Sequence, residues 1–479
     1  MSSRSSAREI YLCALSDKMT LISSISGTRG TIGGKPGDNL TPVDAVAFST
    51  AFSNFIKQRS GKTSPTVVIG RDARPSGQWL SNVVSGTLQA SGVHAVDLGL
   101  STTPTVEIAV PGLKADGGII LTASHNPIEW NALKLLNAKG EFISAEEGKQ
   151  LLDQIRNADF DFPDVHQTGS YRLESGWIER HIDQVLAYEL VDVDAIRAAG
   201  FKVAVDPVNS TGALAIPQLL ERLGVSDVRM INGEVTGIFA HNPEPLKQNL
   251  TEISDVVRTQ GFDLGIVVDP DVDRLALISE DGEMFGEEYT LVAIADYYMQ
   301  ARPGVTVSNL SSSRALKDVT SAAGQNYFAS AVGEVNVVTK MKEEHAVIGG
   351  EGNGGIIVPD FHYGRDSLIG IALFLTHLAK KGVTMSALRA GYPHYEMAKN
   401  KIQLKPGMEP DVLIDAMKER YASENVNTID GLKIDFADEW VHLRKSNTEP
   451  IIRIYTESAS KASAEALAER IEKELSALI

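Results

Sequence analysis

Ser124 and His125 stand directly after an apolar run, in the stretch ILTASHNP at 120–127. The run GGIIL at 117–121 is short, apolar and bounded by glycine and turn residues, a pattern that predicts a buried parallel strand. Ser124 then lies just beyond the carboxyl end of that strand, at the edge where open α/β sheets bind ligands. The serine could therefore be a nucleophile. A turn serine that caps the next segment is the alternative interpretation.

The stretch DPDVDR, which also comes after an apolar run, carries carboxylates at three alternate positions, Asp269, Asp271 and Asp273. Hard oxygen ligands so close together suit Mg²⁺. A calcium loop would place Glu280 at its twelfth position, but Arg274 stands where its sixth position requires glycine. A strand also precedes the stretch in place of a helix. We therefore predict a magnesium loop, with a solvated acidic turn as the alternative.

Glu351 belongs to the glycine-rich stretch GEGNGG at 350–355. Its glycines match the spacing of the dinucleotide-binding fingerprint, but that fingerprint requires a following helix, whereas the apolar run IIVP comes next here. We interpret the stretch as a loop that lets a ligand approach the backbone closely. Glu351 would accept hydrogen bonds from hydroxyl groups such as those of a sugar. A plain turn is the alternative.

A third polar stretch, RKSNTEPIIR at 444–453, combines two guanidinium groups with several small hydroxyl and amide side chains. Its candidate residues are Arg444, Ser446, Asn447, Thr448 and Arg453. Such donors can surround a phosphate group. A polar hairpin without a ligand is the alternative.

Further cationic residues lie in the amino-terminal part of the chain. Arg29 occurs in SGTRG, and the stretch GRDARPSG contains Asp72 and Arg74, which could form a structural ion pair. Lys134, in NALKL, could act as a general acid or base if neighbouring cations lower its pKa. A surface lysine is the alternative.

Strands that end at a charged residue and are followed by a helix recur along the chain, a pattern that predicts parallel sheets covered by helices. The strand and helix pairs are 66–72 with 77–90, 202–207 with 213–223, and 263–269 with 289–299.

The pattern at the carboxyl-terminal end of the chain differs. Short strands at 433–436, 439–443 and 450–455 precede one amphipathic helix with Ala464, Leu467, Ile471 and Leu475 on a single stripe. That pattern predicts a smaller α+β domain.

Length and composition narrow the class of protein. A chain of 479 residues is too long to fold around a single hydrophobic core, and its length favours about three domains, or four small ones. The net charge of -17 argues against a nucleic-acid partner, and no apolar run is long enough to cross a bilayer. A single cysteine, Cys13, excludes intramolecular disulfides and fits a reducing cytoplasm. We interpret residues 1–18 as an irregular leader without a secretory signal, with Met19 as a possible start.

Six stretches in order, SGTRG, GRDARPSG, TASHNP with NALKL, DPDVDR, GEGNGG and RKSNTEP, resemble the motifs of the α-D-phosphohexomutases. The resemblance extends from Arg29 almost to the carboxyl end. It implies an α/β fold of three similar αβ domains with mixed sheets plus a C-terminal α+β domain, heart-shaped around a central cleft. We expect the leader at 1–18 to be followed by domains at 19–168, 169–281, 282–393 and 394–479.

The resemblance also implies roles for individual residues. Ser124 would carry a phosphoryl group and, with Asp269, Asp271 and Asp273, hold Mg²⁺. The catalytic site would further include Arg29, His125, Lys134 and Arg274. The sugar would be recognised by Glu334, Glu351 and Asn353, and its phosphate by Arg444, Ser446, Asn447, Thr448 and Arg453.

The implied reaction interconverts hexose 6-phosphate and hexose 1-phosphate. Phosphoserine would donate to the free hydroxyl of the hexose monophosphate, and the resulting 1,6-bisphosphate, also the expected activator, would return its other phosphate to Ser124. The charge of phosphoserine beside three carboxylates then requires the cation. A hydrolase triad built on Ser124 and His125 would need a nucleophile elbow, which the sequence lacks. A phosphatase using the same phosphoserine and an inactive sugar-phosphate binder stay as alternatives.

The preferred sugar is harder to predict. Bacterial phosphoglucosamine mutases carry glutamine, serine and histidine in the sugar loop, and phosphomannomutase/phosphoglucomutase enzymes carry methionine, serine and histidine. Gly352, Asn353 and Gly355 occupy those places here. Glu334, in VGE, favours a cationic amine, whereas SNT in the phosphate loop favours mannose or glucose. The combination resembles archaeal-type mutases. We predict phosphoglucosamine mutase, with phosphomannomutase/phosphoglucomutase as the alternative, acting as a monomer or homodimer.

Overall fold

The computed structural model describes residues 20–24, 27–157, 160–405, 408–446 and 450–478. The described residues form two compact units. The first comprises the chain up to Glu283 together with His362–Ala372, and the second comprises Met284–Phe361 and the chain from Leu373 onward. The predicted leader, Cys13 and Met19 lie outside the described residues.

The first unit begins with a mixed sheet of seven strands. They are β1 (Ile22–Ser24), β2 (Gly27–Thr31), β3 (Thr66–Arg71), β4 (His94–Leu100), β5 (Gly117–Leu121), β6 (Trp130–Leu136) and β7 (Tyr171–Leu173), in the spatial order β1-β2-β6-β5-β3-β4-β7. Strand β3 runs parallel to β4 and β5, whereas β6 is antiparallel to both β5 and β2. Because β7 pairs with β4, this sheet continues past the domain boundary predicted after residue 168.

Helices cover this sheet. They are α1 (Pro42–Ser60), α2 (Gly77–Ala90), α3 (Thr103–Gly112) and α4 (Ala145–Asn157). Local sequence sets the ends of α1: Thr41 and Asp44 form a capping box, Pro42 comes directly after the cap, and Gly61 adopts a left-handed φ of 68° beyond the last turn. Fully buried Phe52, together with many aliphatic side chains, packs the core between helices and sheet.

The second sheet of the first unit has four strands, β8 (Lys202–Asp206), β9 (Asp227–Met230), β10 (Leu264–Val268) and β11 (Leu275–Ser279), in the order β11-β10-β8-β9. Its helices are α5 (Trp177–Ala187), α6 (Val193–Ala199), α7 (Gly212–Arg222) and α8 (Thr251–Gln260), and two short 3-10 helices occur at Val165–Gln167 and Lys247–Asn249. Strand β10 is parallel to β8 and antiparallel to β11, so this sheet is also mixed.

The second unit contains two sheets. The third sheet has the order β13-β12-β14-β15, with β12 (Thr306–Asn309), β13 (Tyr327–Ser330), β14 (Ile348–Glu351) and β15 (Gly355–Ile357). The helices in this part of the chain are α9 (Glu287–Ala301), α10 (Ala315–Ala322), α11 (Glu334–Glu343), α12 (Ser367–Lys381) and α13 (Met385–Ala390). Strand β15 comes after the glycine-rich stretch, so the structure agrees with rejecting a dinucleotide-binding helix there.

The fourth sheet is entirely antiparallel, in the order β16-β20-β19-β18-β17. Its strands are β16 (Glu396–Gln403), β17 (Asn425–Asn427), β18 (Leu432–Asp435), β19 (Trp440–Lys445) and β20 (Ile451–Ser458), and its helices are α14 (Pro410–Arg420) and α15 (Lys461–Ser476). The predicted fold class, three mixed αβ domains and one α+β domain, is confirmed. The heart-shaped arrangement stays a prediction. Among the helices described, none is both long and apolar enough to cross a membrane.

A buried histidine in the second unit makes folding sensitive to acid. His442 on β19 is 1% exposed, and its ring bonds Ser311 Oγ at 2.9 Å and the carbonyl of Asp430 at 2.7 Å. Burial lowers the pKa of His442 to about 4; the bond to Asp430 opposes this shift, and Lys433 and Arg444 add to it.

We expect His442 to cause a loss of stability at low pH. The unfolded ring titrates near 6.5, so its stabilising contribution is complete above that pH and is lost as pH falls toward about 4. Between about pH 7 and about pH 5 the unfolding free energy should fall by roughly 2 kcal/mol from this group. In denaturant titrations at both pH values, His442→Gln should show a smaller difference than wild type, and His394→Gln, whose side chain is 61% exposed, should not. Equal pH dependence in wild type and His442→Gln would contradict the prediction.

Candidate active site

The loop after β5 presents Ser124 with its hydroxyl fixed. Ser124 is 7% exposed and has a φ of 49°, a left-handed conformation that costs a non-glycine residue energy unless its surroundings hold it. Its amide donates to Thr122 Oγ1 at 3.0 Å. Its Oγ donates to Asp269 Oδ2 at 2.6 Å and lies 3.4 Å from His125 Nδ1. The predicted nucleophile is therefore aimed at the predicted metal loop.

Arg74 holds this serine loop from its buried side. Its guanidinium, 1% exposed, donates to four backbone carbonyls of the loop, those of Ser124, Asn126, Pro127 and Trp130. Its Nε donates to Asp72 Oδ2 at 3.0 Å, and Thr122 Oγ1 donates to the same oxygen at 2.6 Å. Burial raises the pKa of Asp72, although Arg74 and Thr122 oppose that shift. The ion pair predicted between Asp72 and Arg74 is present, and it shapes the serine loop.

The three predicted metal ligands converge. Asp269, Asp271 and Asp273 come after β10, are fully buried, and place one carboxylate oxygen each within 4.8 Å of the others. Asp269 Oδ1 accepts the amides of Asp273 and Arg274, both at 3.1 Å, which closes the loop. Within the described parts of the chain, Oδ1 of Asp271 and Oδ1 of Asp273 are buried without a hydrogen-bond donor. Buried carboxylate oxygens left unsatisfied suit a hard divalent cation, so the residues present fit a metal.

Two cationic side chains contact this trio. Lys134 Nζ lies 2.8 Å from Asp271 Oδ2 and 3.6 Å from Asp273 Oδ2, and Arg365 Nη2 lies 2.6 Å from Asp273 Oδ2. Burial alone would lower the pKa of Lys134, but the two carboxylates raise it by more. Arg365 acts to lower this pKa, as the suggested acid or base role would require, but β6 places the lysine among acids whose effect is larger. A catalytic role for Lys134 stays a prediction.

Asp269 and Asp271 differ in charge preference although both are buried. Burial, with Asp273 and Asp271 nearby, raises the pKa of Asp269 well above its ordinary value. For Asp271 burial acts in the same direction, but Lys134 and the hydroxyl of Thr103, which donates at 2.6 Å, lower the pKa. Asp271, which contacts Lys134, therefore favours its charged form more strongly than Asp269 does.

His125 is held in its neutral form. Burial lowers the pKa of the ring strongly, and Arg274, Arg365 and Arg29 lower it further. Arg274 is mostly buried and lies 3.7 Å from Glu244, and the exposed Arg29 lies on β2. Arg29 and Arg274, the two arginines predicted as catalytic residues, are therefore both close enough to the serine loop to act on His125 electrostatically.

Arg365 was missed by sequence reasoning. It reaches Asp273 from 92 residues further along the chain, and the next residue, Asp366, anchors it. Asp366 Oδ2 bonds His181 Nε2 at 2.9 Å and His362 Nε2 at 3.1 Å, and these two rings lower its pKa against the effect of burial. The available signal was a charged Arg-Asp pair immediately before the apolar helix α12.

The predicted sugar-recognition residues meet within the second unit. Glu351, 5% exposed, accepts hydrogen bonds from Asn309 Nδ2 at 3.0 Å and from the amide of Gly333 at 3.1 Å. The residue after Gly333, Glu334, begins α11 and is 8% exposed. Asn353 Oδ1 accepts the amide of Gly355 at 3.2 Å, so its side chain closes the loop turn.

Gly352 explains one departure from the family signatures. Its amide donates to Ser312 Oγ at 3.0 Å, and a Cβ at this position would lie 1.9 Å from Glu288 Oε2. Glutamine or methionine at this position would therefore require the carboxyl group of Glu288, the end of a flexible side chain, to move.

The residues of the predicted phosphate loop that the structure describes lie on or next to β19 and β20, which pair antiparallel. Arg444 and Arg453 are direct cross-strand partners, and Arg444 Nε lies 3.0 Å from Asp430 Oδ2. The amide of Ser446 donates to the carbonyl of Ile451 at 3.1 Å. Asn447 and Thr448 lie outside the described residues. Phosphate binding by the residues of this stretch stays a prediction.

Four family models match the chain in succession. They are "Phosphoglucomutase/phosphomannomutase, alpha/beta/alpha domain I" at residues 22–162, domain II at 179–282, domain III at 286–395 and the C-terminal domain at 401–474. The chain belongs to the phosphoglucomutase/phosphomannomutase family, and it is a phosphohexomutase, an isomerase that transfers a phosphoryl group within its substrate.

Individual relatives cover nearly the whole chain. A phosphoglucomutase/phosphomannomutase of Thermococcus kodakarensis is 34% identical over 439 residues, 91% of this chain and 95% of that protein. A phosphoglucosamine/phosphogalactosamine mutase of Sulfurisphaera tokodaii is 33% identical, over 93% and 97% respectively. The crystal structure of a phosphoglucomutase/phosphomannomutase family protein from Burkholderia thailandensis superposes with a TM-score of 0.82 at 25% identity, covering 95% of this chain and 97% of that one.

Proposed function

We propose that this phosphohexomutase converts glucosamine 6-phosphate to glucosamine 1-phosphate through a phosphoserine at Ser124, with Mg²⁺ and a 1,6-bisphosphate activator. The observation that carries the proposal is the 2.6 Å hydrogen bond from Ser124 Oγ to Asp269, which joins the nucleophile to a trio of buried carboxylates. A hydroxyl in that position can bear a phosphoryl group next to a divalent cation.

Each transfer exchanges one bond to phosphorus for another. The bond between phosphorus and Ser124 Oγ breaks as a bond from the free sugar hydroxyl to phosphorus forms, and the proton lost by the sugar hydroxyl ends on Ser124 Oγ. In the second transfer the other phosphoryl group of the bisphosphate returns to Ser124, so the protein ends each cycle phosphorylated. When bound to Ser124, Asp269, Asp271 and Asp273, Mg²⁺ supplies positive charge beside the transferred group.

The chain's own residues do the remaining work. Arg74 fixes the serine loop through its carbonyls, so that Oγ faces the metal loop. Arg365 and Lys134, each within 3 Å of a carboxylate of that loop, add positive charge around the phosphoryl oxygens. A neutral His125 next to Oγ can donate one hydrogen bond to the phosphoryl group without adding charge.

The choice of glucosamine rests on two acids. Glu351 and Glu334 lie close together in the second unit, because Glu351 accepts a hydrogen bond from the amide of Gly333, the residue before Glu334. Carboxylates at the sugar-recognition loop favour a protonated amine over a hydroxyl. The similarity to the Sulfurisphaera tokodaii enzyme also supports an amino sugar. The similarity to the Thermococcus kodakarensis enzyme supports the second candidate, phosphomannomutase/phosphoglucomutase.

Coupled assays on the purified chain test this proposal. With Mg²⁺ and a trace of the matching 1,6-bisphosphate, kcat/KM should be highest for glucosamine 6-phosphate among the glucosamine, mannose and glucose phosphates. Glu334→Gln should lower kcat/KM for glucosamine 6-phosphate by about tenfold, because a charge-assisted bond is worth roughly 1.5 kcal/mol. It should change glucose 6-phosphate turnover little.

Glu465→Gln, at an exposed position on α15, is the matched control. Equal kcat/KM for all three sugars, or an equal effect of Glu334→Gln on each, would reject glucosamine as the preferred substrate and leave the mutase reaction intact. Steady release of inorganic phosphate without isomerisation would instead reject the mutase reaction in favour of a phosphatase.

A further inference from the structure

A cavity of about 620 Å³ lies within the second unit. It is lined by residues of β13, the edge strand of the third sheet, and of α11. Residues between 427 and 435, on and between β17 and β18, also line it. None of Glu334, Glu351, Asn353, Arg444 and Arg453 lines it.

The lining of this cavity is cationic although the chain as a whole carries a net charge of -17. Four basic residues line it, namely Arg314, Lys317, Lys340 and Lys433, against two acidic residues, Glu343 and Asp435. A local excess of positive charge in a strongly acidic protein concentrates anions at that place.

Two of these cations already have protein partners. Arg314 donates to the backbone carbonyls of Phe436, Ala437 and Glu439, and Lys340 Nζ lies 2.7 Å from Glu344. Within the described parts of the chain, Lys317 and Lys433 form neither a hydrogen bond nor an ion pair through their ammonium groups. Asp435 and Glu457 act on Lys433 electrostatically, but among the described residues neither ammonium group has an acceptor at hydrogen-bond distance, so both can donate to a ligand oxygen.

Lys433 gives the strongest indication of a ligand. It lies on β18, is only 7% exposed, and its ammonium stands 4.2 Å from the centre of the Trp440 ring. A cation–π contact compensates only part of the cost of burying an ammonium group, which also requires hydrogen-bond acceptors. Burial accordingly lowers the pKa of Lys433. An anion in the cavity would provide the missing acceptors.

We propose that this cavity binds a small organic phosphate at a site separate from the catalytic serine. The phosphate group would pair with the ammonium groups of Lys433 and Lys317, which suit a compact multiply charged anion. The remainder of the ligand would lie against Leu310, Phe328 and Ile429, which line the same cavity. The volume lies within the range of about 300 to 1,000 Å³ that is typical of small-molecule sites.

Titration of the full-length protein, loaded with Mg²⁺, with inorganic phosphate and with adenosine monophosphate tests the proposal. Both probes should bind saturably while a saturating hexose phosphate occupies the catalytic site, and the adenosine compound should bind more tightly. Because Lys433 stacks on Trp440, binding should also change the tryptophan fluorescence.

Lys433→Met should weaken binding of both probes at least tenfold and leave the KM for hexose phosphate unchanged. Lys317→Met, at an exposed position, should weaken binding several-fold even if Lys433→Met folds poorly, and Lys461→Met on α15 should have no effect. The proposal is overturned if neither probe binds in the presence of hexose phosphate, or if both lysine variants bind as wild type does. None of these outcomes depends on which sugar the enzyme prefers.

Discussion

Replacing Ser124 with alanine is expected to reduce kcat by about 10⁴-fold or more, because the variant lacks the oxygen that stores the phosphoryl group between half-reactions. Loss of a covalent carrier cannot be offset by the surrounding cations, which stabilise the transfer and do not replace the acceptor. Intact-mass measurements should show one phosphoryl group on the wild-type chain after incubation with the bisphosphate, and none on Ser124→Ala.

Ser64→Ala is the matched control, since Ser64 lies exposed in the same part of the first unit and before β3. It should retain wild-type kcat and the phosphoryl group. Ser124→Ala should also keep its unfolding temperature to within a few degrees, because the hydroxyl contributes little to the core. Wild-type turnover by Ser124→Ala, or a phosphoryl group found on another residue, would show that the enzyme works without a phosphoserine at this position.

The parts of the site that sequence predicts are those carried by local pattern. Ser124 and the three aspartates each come within a few residues of the end of an apolar strand, and the strands β5 and β10 begin and end almost where the pattern places them. The end of a strand fixes the position of the next few residues. Two short stretches of sequence are therefore enough to predict the nucleophile and the metal ligands. The same holds for Glu351, which ends β14.

Contacts between distant residues are not contained in such stretches. Arg365 meets Asp273 across 92 residues, and the histidines that anchor Asp366 come from α5 and from the segment before α12. The hydrophobic periodicity of a sequence does not indicate which distant side chains come into contact. The environment of Lys134 was missed for the same reason: its charge was visible, but the antiparallel pairing of β5 with β6 decides which groups it faces, and those are carboxylates.

The second large effect is expected at Arg74. Arg74→Met would remove the cation that pairs with the buried Asp72, which would keep the hydroxyl of Thr122 and the amide of residue 74 as donors, and it would remove one donor from each of four loop carbonyls. Removing one partner from a buried ion pair typically costs about 3 to 5 kcal/mol, so the unfolding free energy of the first unit should fall by that amount. In the protein that remains folded, kcat should fall about 10²-fold because the serine loop loses its position. Denaturant titration and assays at low temperature measure the two effects separately.

Arg74→Lys and Arg71→Met distinguish positioning from mere stability. Lysine keeps the positive charge beside Asp72 but lacks the planar guanidinium group that donates to several carbonyls at once. Compared with Arg74→Met, Arg74→Lys should therefore restore part of the stability and little of kcat. Arg71 belongs to the same stretch, is partly exposed and bonds Gln78, so Arg71→Met should cost little stability. A purely structural role for Arg74 would lower the folded fraction and leave kcat per folded molecule unchanged. If Arg74 positions the loop, kcat per folded molecule falls in both Arg74 variants while the KM for hexose phosphate stays near its wild-type value, because the guanidinium contacts the serine loop from its buried side.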